Sequence, residues 1–359
     1  MKIIVTGGGT GGHVYPALSI ADEIKRRNPD AEIIFVGTER GIESRVVPES
    51  GYELKIIDAA GINRRKILEN IKVAYAGFRG LRQCMGILKE FKPELVIGTG
   101  GYVSGPMVFL SSLKGLKTCI HEQNAYPGLT NKLLGLSATE IMTGFESSEN
   151  YFVRKKRVHF TGNPVRKEFY GIEKNEARKI LGLPLEQFRV LSMGGSGGAS
   201  VLNDRIKESM TILKNEEIYF THITGKRYFD KFMSGFECGS NNEICPYISE
   251  MAIHMAASDI VVSRAGAITV AEILKLGKPS ILIPSPNVTG NHQFQNASAL
   301  KKSGCALMME EKELTGRNLA DALLKLYENK DRIELMEKCA YPYKKSDATK
   351  SIVDRMMNL

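Results

Sequence analysis

Several things are missing from this sequence, and each absence excludes a class of function. The six cysteines, Cys84, Cys119, Cys238, Cys245, Cys305 and Cys339, form no C-x-x-C pair, so no zinc knuckle or thioredoxin-type motif is present. No window approaches the roughly 18 apolar residues of a membrane-spanning helix. The opening run Met1-Lys2-Ile3-Ile4-Val5-Thr6 breaks into glycines too early for a signal-peptide core. Together these absences predict a cytosolic chain with reduced cysteines that touches a membrane only from outside. No G-x-x-x-x-G-K-[ST] occurs, which excludes a P-loop nucleotide hydrolase at the motif level.

What is present is ordinary globular composition, 43% hydrophobic and 25% charged, which excludes collagen-like, disordered and membrane-bundle proteins. The 359 residues exceed one usual core and suit two domains of roughly 150 residues each. Lys and Arg number 49 against 40 Asp and Glu, a formal charge of +9. That excess points to an anionic partner: nucleic acid, a phosphorylated substrate or an anionic membrane surface.

Short apolar runs at 2–6, 32–37, 54–57, 95–98, 117–120 and 140–143 read as strands, with helical stretches between most of them. After turn chemistry at Thr161-Gly162-Asn163-Pro164 a second series follows, at 189–193, 217–221, 260–263 and 280–284. Strands alternating with helices imply an α/β fold with doubly wound parallel sheets. The boundaries expected are 1–162 and 163–340. A final helix of about 341–359, with Ser346 as its N-cap and Ile352, Val353 and Met356 apolar, is expected to pack back on the first domain.

Strand, glycine loop and helix follow one another three times, at Gly7-Gly8-Gly9-Thr10-Gly11-Gly12-His13, Gly98-Thr99-Gly100-Gly101-Tyr102-Val103-Ser104-Gly105-Pro106 and Gly194-Gly195-Ser196-Gly197-Gly198-Ala199. Glycine lets a ligand approach the backbone, and the following helix turns free N–H groups and its positive dipole end towards an anion. Each loop alone is equally a tight turn; three of them favour a phosphate-rich ligand. Two rival motifs stand beside this reading. Gly7-x-Gly9-x-x-Gly12 with Glu39 matches a dinucleotide fingerprint, hence an NAD-linked oxidoreductase. Gly194-x-Ser196-x-Gly198 matches a nucleophile elbow, with His222, His254 or His292 as base.

Taken in order, these loops with His121-Glu122-Gln123-Asn124, Gly128-Leu129-Thr130-Asn131-Lys132, Gly162-Asn163-Pro164-Val165-Arg166 and Arg264-Ala265-Gly266-Ala267-Ile268-Thr269-Val270-Ala271-Glu272 resemble the MurG family over almost the whole chain. These are inverting GT-B transferases of glycosyltransferase family 28. They add N-acetylglucosamine from UDP-N-acetylglucosamine to the 4-hydroxyl of undecaprenyl-linked muramyl-pentapeptide in peptidoglycan synthesis. The pattern departs at Gly197, where the family usually has Gln, and at His292, where it often has a second glutamine beside Gln293. A glycolipid synthase or UDP-sugar epimerase of the same fold is the nearest alternative.

The resemblance implies two Rossmann-like domains facing across a cleft, the first taking the acceptor and the second the donor. His13 is the candidate base. UDP-N-acetylglucosamine would be held by Thr10, Gly11, Gly12, Asn124, Arg166, Ser196, Ile248, Ala267, Ile268, Thr269, Glu272 and Gln293. Ile248 would read the uracil beside Tyr247, and Glu272, placed in the first turn of its helix, would accept the ribose hydroxyls. Gly101, Tyr102 and Ser104 would meet the acceptor. No Asp-x-Asp occurs, so the paired carboxylates that commonly hold Mg²⁺ or Mn²⁺ on a sugar nucleotide are lacking. Neither a metal nor another cofactor is expected.

Ile67, Ile71, Tyr75 and Phe78 share one helical face, with Arg64, Arg65, Lys66, Lys72, Arg79 and Arg82 around them. Apolar side chains flanked by cations describe a surface that sits in anionic headgroups. Since the family acts on a lipid-linked acceptor, the resemblance places the chain at the cytoplasmic face of the bacterial membrane. It also implies other cell-wall synthesis and division proteins as partners, and no nucleic acid.

Overall fold

A computed structural model describes residues 1–60, 70–195 and 197–359, with residues 70–76 described by backbone alone. The chain divides into two compact units, Met1–Arg166 with Asp347–Leu359, and Lys167–Ser346.

The first unit runs β1 Lys2–Thr6, α1 Gly11–Arg27, β2 Glu32–Gly37, α2 Glu43–Glu49, β3 Glu53–Ile56, α3 Asn70–Phe91, β4 Leu95–Gly98, α4 Gly101–Leu113, β5 Lys117–Glu122, α5 Leu129–Leu134, β6 Glu140–Thr143 and β7 Val158–Phe160. Its seven strands pair in parallel in the order β3-β2-β1-β4-β5-β6-β7. Successive strand side chains point to opposite faces and both faces are covered, which is why the stretches Ile3-Ile4-Val5, Ile33-Ile34-Phe35-Val36 and Leu95-Val96-Ile97 are apolar. Ile3, Val5, Ile33 and Phe35 pack on Ala17, Ile20 and Ile24 of α1. Ile4, Ile34, Val36 and Val96 pack on Leu88 of α3 and Met107 and Val108 of α4. Each such side chain contributes about 1.5–3 kcal/mol on burial.

The second unit runs α6 Lys174–Ile180, β8 Phe188–Met193, α7 Ser200–Ile212, β9 Ile218–Ile223, α8 Phe229–Met233, β10 Asn242–Cys245, α9 Met251–Ala257, β11 Ile260–Ser263, α10 Ala267–Lys275, β12 Ser280–Leu282, α11 His292–Ser303, β13 Ala306–Met308, α12 Gly316–Glu328 and α13 Lys330–Lys345. The order of its parallel sheet is β10-β9-β8-β11-β12-β13. Val190, Ile260, Val262 and Ile281 bury against Leu202, Ile206 and Met210 of α7 and Leu319, Leu323 and Leu326 of α12. The chain then returns: α14, Ala348–Met357, inserts Ile352, Val353 and Met356 into the core around Ile3 and Val5 of the first unit.

Several expectations need correction. The junction lies at Arg166/Lys167, not 162/163, because Gly162 O and the Asn163 side chain are hydrogen-bonded into the first unit. The return starts at Asp347, not 341, since α13 continues to Lys345 with Met336 in the second unit's core. Asp347, not Ser346, caps α14 by accepting the Lys350 N–H at 2.9 Å. β7, β10 and β13 went unread: β7 and β13 have three residues, β10 is half polar, and all three lie at sheet edges. Cys305 and Cys339 form a disulfide, with Cα atoms 5.2 Å apart, against the expectation of reduced cysteines throughout. Tertiary packing of α13 brings the two together across a sequence separation of 34, which no local spacing reveals. Cys84, Cys119, Cys238 and Cys245 are free thiols.

Candidate active site

β1 and β4 are hydrogen-bonded neighbours with Thr6 opposite Gly98, so the first two glycine loops leave the sheet side by side. They touch. Gly101 has φ +78, and a Cβ on it would lie 2.5 Å from Gly8 O, so only glycine fits there. His13, in the first turn of α1, occupies the joint. Its Nδ1 is 3.1 Å from Thr99 O and 3.1 Å from Gln123 Oε1. Tyr102 lays its ring edge against Gly9. Thr10 and Gly12 are exposed and Gly11 is half-buried. Ser104 is fully buried and donates its hydroxyl to Gly101 O at 3.1 Å, so it shapes the loop from within. Arg166 holds its guanidinium 5.7 Å from the Tyr15 ring centre.

A carboxylate that sequence reasoning missed clamps the first loop. Glu43, at the start of α2, is 1% exposed and accepts Gly9 N–H at 2.9 Å, Thr38 N–H at 3.1 Å and the Thr38 hydroxyl at 2.7 Å. One loop amide is therefore taken, and an acidic side chain lies behind the place where a dinucleotide's pyrophosphate would sit. Coulombic repulsion there opposes the NAD reading, and Glu39, its proposed ribose partner, is exposed beyond β2. A lone glutamate at the start of a short helix carries no sequence signal for this role.

The end of β5 organises the same region. His121 is fully buried, and desolvation lowers its pKa to about 4. Its Nε2 donates to Gly162 O at 3.0 Å. Gln123 Nε2 donates to Thr99 O at 2.8 Å and reaches His121 Nδ1 at 3.0 Å. Glu122 accepts the backbone and side-chain N–H groups of Asn124, the Gly128 N–H and the Asn131 side chain at 2.9–3.1 Å, which fixes the turn that presents Asn124. Asn163 donates to Gln123 O at 2.9 Å.

In the second unit the third loop packs on the end of β9. Gly198 has φ +72, and a Cβ on it would lie 2.3 Å from Thr224 O; Asn203 donates to the same carbonyl at 2.9 Å. Ser196 lies outside the described residues. The Gly266 N-cap of α10 makes no side-chain cap bond. Asn296, fully buried, fixes the preceding turn by donating to Ala265 O at 3.0 Å, and Arg264 pairs with Glu311. Ala267, Ile268 and Thr269 open α10, whose N-terminal dipole end favours an anion. Glu272 is buried but stands in the second turn, not the first as expected. Gln293 accepts Ser285 N–H at 2.9 Å through Oε1. Ile248 precedes α9 beside Tyr247, which is 58% exposed. Of the hydrolase bases, His222 is buried, its pKa is lowered to about 3 by desolvation, and its Nδ1 is engaged by Ser192, 2.8 Å from the hydroxyl and 3.2 Å from the carbonyl oxygen.

Of the expected membrane residues, Arg64, Arg65, Lys66 and Ile67 lie outside the described residues, as do the side chains of Ile71, Lys72 and Tyr75. Phe78 is 70% exposed, and Arg79 is exposed and paired with Asp58 at 3.0 Å. Among the described residues no helix is long and apolar enough to cross a membrane, and no group of three His, Cys, Asp or Glu could hold a metal ion.

Residues 3–143 match the glycosyltransferase family 28 N-terminal domain and residues 189–356 the family 28 C-terminal domain. The chain belongs to glycosyltransferase family 28. A relative from Clostridioides difficile (strain 630) is 44% identical, covering 100% of this chain and 89% of that protein. One from Acetivibrio thermocellus is 43% identical, covering 99% and 97%. Both are named UDP-N-acetylglucosamine--N-acetylmuramyl-(pentapeptide) pyrophosphoryl-undecaprenol N-acetylglucosamine transferase. The crystal structure of Acinetobacter baumannii MurG superposes with a TM-score of 0.80 at 25% identity, covering 100% of this chain and 99% of that one. A UDP-GlcNAc 2-epimerase from Neisseria meningitidis, TM-score 0.70 at 15% identity with 100% of each chain covered, shares the fold alone. This family 28 glycosyltransferase therefore has the GT-B class of fold, with two parallel-sheet α/β units.

Proposed function

We propose that this chain transfers N-acetylglucosamine from UDP-N-acetylglucosamine to the 4-hydroxyl of undecaprenyl-pyrophosphoryl N-acetylmuramyl-pentapeptide, with inversion at the anomeric carbon. The observation that carries this is similarity over the full chain, 44% in one relative of that name and still 38% in another. The acceptor oxygen forms a bond to the anomeric carbon as the bond to the diphosphate oxygen breaks. The hydroxyl proton passes to a base and the negative charge leaves on UDP. His13 supports the base role: its Nδ1 faces two acceptor oxygens, which leaves the Nε2 lone pair for a proton.

The diphosphate belongs at the start of α10, where backbone amides and the Thr269 hydroxyl meet the positive dipole end. Ser196 and Arg166 add donors, Glu272 takes the ribose hydroxyls, Ile248 reads the uracil, and Asn124 and Gln293 bind the sugar. Thr10, Gly11 and Gly12 border the same reaction, while Gly101 and Tyr102 receive the acceptor. The first unit is the acceptor unit and the second the donor unit. The enzyme works at the cytoplasmic face of the membrane without an obligatory metal. Apolar side chains favour that docking: Phe78 of α3, Phe109 and Leu113 of α4, and Leu129 and Leu133 of α5 are all exposed. They stand on helices packed side by side, with Arg79, Lys114 and Lys132 among them.

The test is transfer of labelled N-acetylglucosamine from the nucleotide to a synthetic lipid I analogue, with and without chelator. Transfer is expected in both arms; loss in chelator restored by Mg²⁺ would contradict metal independence. His13→Ala is expected to lower kcat by roughly 10²–10⁴ with little change in donor KM. A near-normal kcat removes His13 as base.

A further inference from the structure

We infer that Gln123 is a positioning residue for His13, its side-chain amide oriented by the buried His121 so that His13 keeps its proton on Nδ1 and its lone pair on Nε2. This rests on the reading of His13 as base. The chain of reasoning starts at the carbonyl furthest from His13. Gly162 O can only accept, so His121 Nε2 carries the hydrogen of their 3.0 Å bond. The neutral ring then offers Nδ1 as an acceptor, and the atom of Gln123 facing it at 3.0 Å must be the amide nitrogen. That nitrogen also donates to Thr99 O at 2.8 Å, which independently fixes the same orientation. Oε1 is thereby turned to His13 Nδ1 at 3.1 Å. Thr99 O, also 3.1 Å from Nδ1, is a second acceptor, so both neighbours of Nδ1 require it to donate.

The device is rigid because its deeper members are enclosed. His121 is 0% and Gln123 1% exposed, so water cannot replace the partners of either. Asn163 fastens the Gln123 main chain through Gln123 O at 2.9 Å. Thr99 ties back to α1 by donating its hydroxyl to His13 O at 2.8 Å, so the same strand end holds both the main chain and the ring of His13. A neutral imidazole left to water changes tautomer freely; here one tautomer satisfies every partner.

The experiment reads the tautomer and the kinetics together. Nitrogen-15 NMR of the full chain, with His13 assigned by its absence in His13→Ala, is expected to show the Nδ1–H form. Gln123→Met keeps the length and removes both amide functions. It is expected to raise the Nε2–H share of His13 and to lower kcat about tenfold or more, part of what a general base supplies, with the UDP-N-acetylglucosamine KM within about twofold because no donor-site group is touched. Gln123→Glu, as the carboxylic acid that burial among acceptors favours, keeps an acceptor facing Nδ1 and a hydroxyl donor facing Thr99 O and His121 Nδ1, and is expected to recover the Nδ1–H form and more of kcat than Gln123→Met. The proposal is overturned by Nε2–H in the wild-type chain, by an unchanged kcat in Gln123→Met where His13→Ala does lower kcat, or by a KM that rises as far as kcat falls. If Gln123→Met does not fold, the wild-type spectrum and Gln123→Glu decide the matter. A normal kcat in His13→Ala, with the tautomer responding to Gln123 as expected, removes the base reading and leaves the positioning intact.

Discussion

At the residue scale, hydrogen bonds show which side chains are committed to holding others in place. Glu43 and His13 share the first loop, yet only His13 was legible in the sequence, because it stands inside a glycine motif whose neighbours announce it. Glu43 is separated from Gly9 by 34 positions and reaches it only because β2 lies beside β1. Its removal exposes its role. Glu43→Ala leaves the Gly9 and Thr38 amides without their acceptor, an expected cost of about 1–3 kcal/mol for each buried donor. Urea denaturation checks this, and Glu43→Gln, which keeps one carbonyl oxygen, is expected to lose less. A variant as stable as wild type would show that water replaces the carboxylate. The same distinction separates Ser104 from Tyr102, two positions apart in one motif. Ser104 turns inward and donates to Gly101 O, while Tyr102 covers Gly9.

At the element scale, periodicity reads the central strands well and the edges poorly. β1, β2, β4 and β11 are buried on both faces along most of their length, so apart from Lys2, Thr6, Glu32 and Ser263 their residues are apolar or glycine. β10 is partly exposed and keeps Asn242 and Glu243, a pattern a loop shares. The exposed apolar residues of α3, α4 and α5 belong to this scale too, since no one of them is unusual and the docking proposal draws on helices that pack against one another. A variant with Phe78→Ser, Leu113→Ser and Arg79→Glu is expected to bind phosphatidylglycerol vesicles roughly tenfold more weakly, as headgroup attraction is worth about 1 kcal/mol per cation. UDP-N-acetylglucosamine affinity, measured by calorimetry, is expected to stay unchanged. Equal vesicle binding by variant and wild type would place the docking surface elsewhere.

At the scale of the whole molecule, two buried histidines make the fold sensitive to acid. His121 and His222 have pKa values lowered to about 4 and about 3, chiefly by desolvation, against 6.5 for an exposed imidazole. Between the folded and the ordinary value the unfolded chain binds more protons than the folded one, so stability rises with pH there. Their contribution is complete above pH 6.5 and is lost as pH falls through the folded values, at up to about 1.4 kcal/mol per pH unit for each group. Urea midpoints at pH 7 and pH 5 are expected to differ in the wild-type chain, and His222→Asn is expected to shrink the difference. Equal shrinkage by His292→Asn would deny His222 any special part.

The strand rhythm, the three glycine loops and the order of the motifs were determined by the sequence itself, because local periodicity and turn chemistry act between residues close along the chain. Those signals carried the α/β class and the resemblance to the family, and that resemblance supplied the residues proposed to meet substrate. Pairings over long separations waited for the tertiary structure. Glu43 behind the first loop, Gln123 and His121 behind His13, Asn296 behind the α10 turn and the Cys305–Cys339 bond all arise where folding brings distant segments together. The residues proposed to meet substrate carry local motifs. Residues that hold those residues in place carry none, since their identity answers to a partner that only folding supplies.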